Sequence, residues 1–120
     1  MDRPEAYVIE DDAMIADIFA KAVESANYHT ITIRDGYEAL ECLKKGKPAL
    51  VVLDLRLPHV HGIHILKAIR DDSRLSNTRV IVVSSDATQT QFLREEADLI
   101  LVKPIGFNQL REMAERLRPE

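Results

Sequence analysis

Three acids stand directly after two short apolar runs: Glu10 and Asp11 close Ala6-Tyr7-Val8-Ile9, and Asp54 closes Ala49-Leu50-Val51-Val52-Leu53. A charge at the end of what reads as a buried parallel strand is held at the rim of a sheet, a place better suited to chemistry than to stability. If the two strands lie side by side, three carboxylates meet at one end. They repel one another unless a cation sits among them, and hard oxygen donors with room for water favour magnesium or calcium. Two further groups follow apolar runs in the same way. Ser84 comes after Val80-Ile81-Val82-Val83, and Lys103 after Leu99-Ile100-Leu101-Val102, with Pro104 next. A hydroxyl, an ammonium group and three acids around a divalent cation are what a phosphoryl group on a carboxylate needs. The metal and Lys103 neutralise the equatorial oxygens, Ser84 donates a hydrogen bond, and Asp54 is the nucleophile that becomes an aspartyl phosphate. Singly, each residue has a plainer reading: Ser84 as a helix N-cap, Lys103 as a solvated strand end, Glu10 and Asp11 as an exposed loop. Their shared placement at strand ends favours the chemistry.

The elements that must position these groups are legible as alternating patterns. Strands are predicted at Ala6 to Ile9, His29 to Ile33, Ala49 to Leu53, Val80 to Val83 and Leu99 to Val102, all rich in Val, Ile and Leu. A first helix carries Met14, Ile15, Ile18, Phe19, Ala22 and Val23 at helical spacing behind Asp12 as N-cap. A second runs from Tyr37 to Lys45 behind Asp35-Gly36 and stops at Gly46 and Pro48. Ile63, Leu66 and Ile69 mark a third, Thr88 to Ala97 a fourth, and Phe107, Leu110, Met113, Ala114 and Leu117 the stripe of a fifth. Repeated strand-helix units imply a doubly wound α/β domain, with helices on both faces of a five-stranded parallel sheet of order 2-1-3-4-5, as in flavodoxin. Ligands of such folds bind at the carboxyl ends of the strands beside the switch point between strands one and three. That is where Glu10, Asp11 and Asp54 fall.

Composition sets the bounds. At 120 residues, 46% hydrophobic and 30% charged, residues 1–120 read as one folded domain. No apolar stretch approaches the ~20 residues that cross a bilayer, and the first residues do not form a signal peptide, so a cytoplasmic location without membrane contact is expected. Cys42 is the only cysteine and reads as a packed or surface thiol. A net charge of −4, with no basic stripe interleaved with aromatics, gives no reason to expect direct nucleic-acid binding.

With those residues in place, the chain resembles the receiver domains of bacterial two-component response regulators, from Tyr7-Val8-Ile9-Glu10-Asp11-Asp12 through Val52-Leu53-Asp54-Leu55-Arg56-Leu57-Pro58 to Val102-Lys103-Pro104. The resemblance implies that Asp54 is the phosphoacceptor, Asp11 a direct magnesium ligand and Glu10 an acid that helps to place the metal. It further implies that the backbone carbonyl of Arg56 is another ligand, Ser84 the switch hydroxyl and Lys103 the phosphate-binding lysine. Ser85 would leave the phosphoryl group room, Arg56 and Asp86 would flank it and tune its hydrolysis, and the Lys103-Pro104 peptide is expected to be cis. By the same resemblance the cofactor is Mg2+ and the partner is a sensor histidine kinase or phosphotransfer protein. The chain is expected to be no enzyme beyond accepting and slowly losing its own phosphoryl group, and to be a monomer or weak dimer.

The chain also departs from the family. Ile100 stands where receivers often carry Tyr or Phe, Ile105 where they often carry Phe, and the stretch from Ser84 to Lys103 is about one helical turn short. Glu95-Glu96-Ala97-Asp98 replaces a small-residue turn before the fifth strand. His59, His61 and His64 cluster after Asp54 and invite a zinc or nickel reading, although no thiol or acid at suitable spacing completes a ligand set; a polar loop is the plainer reading. Two function classes stand side by side: a phosphorylatable signalling domain, and an interaction module that keeps the receiver fold but works without phosphorylation. The complete set Glu10, Asp11, Asp54, Ser84 and Lys103 favours the first.

Overall fold

The computed structural model describes residues 2–86 and 91–119. Its strands are β1 (Glu5–Ile9), β2 (His29–Ile33), β3 (Leu50–Asp54), β4 (Arg79–Ser84) and β5 (Leu99–Val102). Its helices are α1 (Ala13–Ser25), α2 (Gly36–Lys45), α3 (Gly62–Asp71), α4 (Gln91–Glu96) and α5 (Phe107–Leu117), with a short 3-10 turn at Ser73–Leu75. The strands form one parallel sheet in the order β2-β1-β3-β4-β5. This is the doubly wound α/β architecture expected of the sequence.

The apolar runs read as continuous because both faces of the sheet are covered. Ala6 and Val8 of β1 pack with Phe19, Val23, Leu110 and Ala114 on the side of α1 and α5, while Tyr7 and Ile9 pack with Leu43, Ile65 and Ile69 on the side of α2 and α3. All five residues of β3 are buried. Each fully buried Leu, Ile or Val contributes about 1.5–3 kcal/mol by leaving water, so the central strand is fixed in register and in depth. Asp54 is therefore carried at the end of the fully buried central strand.

Caps fix where the helices begin. Asp12 caps α1 by accepting from the Ile15 amide at 3.0 Å, and Asp35 caps α2 by accepting from Tyr37 and Glu38 amides, each at 3.1 Å. The α1 stripe is narrower than the sequence suggests: Met14 is 77% exposed and Ile18 44%. At about 100° per residue they lie roughly 140° and 100° around the helix from Phe19, which faces the sheet. Phe107, expected on the buried stripe of α5, is also exposed because it opens the helix beyond the edge of the core. Of the expected fourth helix, Gln91–Glu96 is helical, and residues 88–90 lie outside the described residues.

Candidate active site

The register brings the three acids together. Ile9 pairs with Leu53, so Glu10 and Asp11 leave β1 beside the point where Asp54 ends β3. Asp54 is the last rung of its strand rather than the first residue past it, for it pairs with Val83 of β4. A carboxylate on a paired strand end cannot swing away as one on a loop could. One oxygen from each of Glu10, Asp11 and Asp54 lies within 4.8 Å of the others, and no other set of three His, Cys, Asp or Glu residues converges in this way among the described residues. Glu10 and Asp54 are buried, while Asp11 is exposed.

Each oxygen of Asp54 has a donor: Oδ1 accepts from the Arg56 amide at 2.9 Å and Oδ2 from the Lys103 ammonium at 3.0 Å. Glu10 is served less well. Its Oε2 accepts from the Asp12 amide at 3.0 Å, but Oε1 is buried without a hydrogen bond, with the Lys103 ammonium 3.6 Å away. Burial, then the proximity of Asp54, pushes the Glu10 carboxyl up to about 7. Burial is the largest single influence on the Lys103 ammonium and would lower it, but the bond to Asp54 and the charges of Asp54 and Glu10 together outweigh it and raise it. One ammonium thus serves two buried carboxylates at once, and the electrostatic balance at this end of the sheet is short of positive charge. A hard dication among these oxygens would supply what Glu10 Oε1 lacks, and an all-oxygen donor set suits magnesium or calcium.

Ser84 ends β4 one position beyond Val83, the partner of Asp54, and is buried. Its hydroxyl donates to the Asp86 carbonyl at 3.2 Å and accepts from the Asp86 amide at 3.1 Å, while its own carbonyl accepts from the Lys103 amide at 2.7 Å. Ser85 and Asp86 are exposed, as is the Arg56 side chain. The Lys103-Pro104 peptide is cis. Ile100 is half-buried and packs against the core on the side of α3 and α4.

The three imidazoles do not converge. His59 Nδ1 lies 2.6 Å from Asp35 Oδ1, and its ring stacks on Tyr37; His61 precedes α3 without a side-chain cap bond, and His64 is exposed on that helix. Two contributions to the site have little or no trace in the sequence pattern. Gly62 lets the start of α3 press against the acceptor strand, since a Cβ there would come within 2.5 Å of Leu55 Cα and 2.8 Å of the Asp54 carbonyl oxygen. Its place shortly after an acid and a proline was the available signal. Arg34 donates from Nε and Nη2 to the Asp11 carbonyl at 3.1 and 2.9 Å. Nothing in the sequence marks that contact.

A family model described as the response regulator receiver domain matches residues 6–115. The polar-differentiation response regulator DivK of Brucella anthropi is 34% identical over 80 residues, which cover 67% of this chain and 65% of that protein, just under two thirds of its length. The structure of a CheY-like response regulator receiver domain from Methylobacillus flagellatus superposes with a TM-score of 0.87 at 22% identity, covering 98% of this chain and all of that one. The receiver domain of a sensor histidine kinase from Pseudomonas aeruginosa PAO1, whose structure has a magnesium ion coordinated in the active site cleft, gives a TM-score of 0.81 at 21% identity, over 96% of this chain and 97% of that one. At these identities the two structures speak for the fold.

Proposed function

This chain belongs to the response regulator receiver family, and we propose that it is a phosphorylatable signalling domain that accepts a phosphoryl group on Asp54 and relays a conformational change. The observation that carries this reading is the arrangement around Asp54: a buried carboxylate at a rigid strand end, held by the Arg56 amide and the Lys103 ammonium, with Glu10 and Asp11 within 4.8 Å. Residues 1–120 act in this reading as one receiver domain.

The residues take the following parts. Asp54 attacks the phosphorus of a phosphohistidine on a sensor histidine kinase or phosphotransfer protein, so that a P–O bond forms as the P–N bond breaks and the imidazole leaves. Lys103, already beside Asp54 Oδ2, neutralises charge on the transferred group. Ser84 leaves its bond to the Asp86 carbonyl and donates to a phosphoryl oxygen. Glu10, Asp11, Asp54 and the Arg56 carbonyl would hold Mg2+, which when bound would offset the charge of the acids and of the phosphoryl oxygens. Small Ser85 leaves space for the group, Arg56 and Asp86 flank it and set how fast water removes it, and Pro104 shapes the turn behind Lys103. The chain turns over no outside substrate in this reading, and its location is the cytoplasm. Among the described residues no helix is long and apolar enough to cross a membrane.

Incubation with magnesium and acetyl phosphate, followed by intact mass, tests the proposal. Wild type gains one phosphoryl group, and Asp54→Ala gains none. A gain retained by Asp54→Ala would reassign the site.

A further inference from the structure

The β2–α2 turn holds none of the acids of the site, yet two adjacent residues in it each grip a loop beside the site, one after β1 and one after β3. Arg34 places Nε and Nη2 on the main-chain carbonyl of Asp11, at 3.1 and 2.9 Å, and so holds the loop after β1 by a two-pronged bond. Asp35 reaches the other way. Its Oδ2 is fixed by the Tyr37 and Glu38 amides at the start of α2, and its Oδ1 lies 2.6 Å from His59 Nδ1. A carboxylate can only accept, so that ring nitrogen carries the proton. The His59 ring also stacks on Tyr37, with centroids 5.5 Å apart and planes 13° from parallel.

The backbone at His59 shows that this tie shapes the loop. Its φ is 70°, in the left-handed region that a non-glycine residue adopts at a cost, and the Val60 amide closes a tight turn onto the Pro58 carbonyl at 2.8 Å. Val60, next in sequence, is buried against Gly36 so closely that a Cβ on Gly36 would come within 2.6 Å of Val60 Cβ. The loop from Asp54 to Val60, which carries Arg56, is therefore pinned to the start of α2 at its far end. The hydrogen bond from His59 is the main reason that the Asp35 carboxyl lies below its usual range.

We propose that Arg34 and Asp35 form a positioning bracket for the cation site: Arg34 sets the loop of Asp11, Asp35 sets the loop of Arg56 through His59, and the spacing between the two is fixed from a third loop. The inference rests on the magnesium site proposed above. Magnesium demands near-ideal octahedral geometry and tolerates little drift in its donors, and groups that orient metal ligands are worth about 10–100-fold in affinity.

Charge and position make opposite predictions for Arg34. As a mere cation beside the Asp11 loop, Arg34 would repel Mg2+, and its removal would tighten binding. As a bracket, its removal loosens the Asp11 loop and weakens binding. Arg34→Lys keeps the charge but not the two-pronged bond, and His59→Gly relieves the backbone strain while cutting the tie to Asp35. The test is calorimetric titration of wild type, Arg34→Lys, Arg34→Ala and His59→Gly with magnesium chloride alone, with thermal melts to confirm folding. Wild type is expected to bind one ion, and each variant to bind it about tenfold or more weakly. In parallel, the magnesium concentration for half-maximal phosphorylation by acetyl phosphate rises while the rate at saturating magnesium holds, the pattern of lost binding rather than lost chemistry. Should Arg34→Ala fail to fold, Arg34→Lys and His59→Gly carry the test. Variants that bind as wild type does, or an Arg34→Ala that binds more tightly, overturn the bracket and leave the metal site standing. A wild type that binds no magnesium overturns both.

Discussion

The two ends of the sheet hold similar chemical groups in opposite proportion. At the amino end, two guanidinium groups surround one carboxylate: Asp98 accepts from Arg79 at Oδ1 (3.0 Å) and from Arg70 (3.0 Å) and the Val80 amide (2.7 Å) at Oδ2. Arg70 also donates from Nε and Nη1 to the carbonyls of Glu96 and Thr78, at 2.7 and 2.8 Å. At the carboxyl end, one ammonium stands among the carboxylates, and Glu10 Oε1 is left without a hydrogen bond. At the first end both oxygens of Asp98 are satisfied, and the cluster ties α3, β4 and β5 together. The second is short of positive charge, a deficit that the cation proposed for this end would fill. In the proposed reading, stability and reactivity are divided between the two ends of one scaffold.

Breaking the satisfied end has the largest expected effect on the fold. Asp98→Ala strands two guanidinium groups and the Val80 amide, and is expected to lower unfolding free energy by about 2–3 kcal/mol, less than a fully buried pair because Asp98 keeps 19% exposure. Urea unfolding measures it, and a loss under about 1 kcal/mol would remove the contrast between the ends. Lys103→Ala works the other way round. The fold stands, but phosphorylation by acetyl phosphate slows by on the order of 10²-fold, because the transferred charge loses its neighbouring ammonium. An unchanged rate would take Lys103 out of the mechanism.

A smaller effect concerns stability at the open end. Burial and Asp54 raise the Glu10 carboxyl from 4.5 to about 7, so the folded chain binds that proton more tightly than the unfolded chain does. The contribution is therefore fully present below about 4.5 and is lost as pH rises through about 7. In the presence of EDTA, stability is expected to fall between pH 5 and pH 8 by roughly 1–2 kcal/mol from this group. Glu10→Gln keeps an acceptor for the Asp12 amide, removes the buried charge, and should flatten that slope and raise stability at pH 8. A variant with the wild-type slope would show that Glu10 is not its source.

The subtlest outcome concerns output. Ile100 packs against the core and has neither a ring to turn nor a hydroxyl to exchange partners. A beryllofluoride-magnesium mimic of phosphorylation is expected to shift the loops around Arg56 and Ser84 without producing a tight dimer through α4, β5 and α5. Sedimentation with and without the mimic checks this. A monomer-to-dimer transition abolished by charge reversal at Arg111 would contradict it.

The apolar runs, the caps Asp12 and Asp35 and the acids at strand ends were legible because each is a local pattern with one physical cause: strands covered on both faces, orphan helix amides, charges kept at the rim. Met14, Ile18 and Phe107 misled because helical spacing fixes a stripe but not how much of it the sheet covers. The links from Arg34 to Asp11, Asp35 to His59 and Asp98 to Arg70 and Arg79 span 19 to 28 positions and leave no periodic trace. Asp98 in particular read only as part of an unusual turn. Its role emerges once the sheet order puts β4 beside β5.

Where the phosphoryl group goes decides whether this end of the sheet is a phosphoryl site. Borohydride reduces an aspartyl phosphate to homoserine, so protein treated with magnesium and acetyl phosphate, reduced and digested, can be read by peptide mass. The expected result is homoserine at position 54 alone, dependent on magnesium and absent when EDTA is present. Reduction at Asp11 or Asp86 instead, or none at any acid, would contradict the assignment of this end of the sheet as a phosphoryl site.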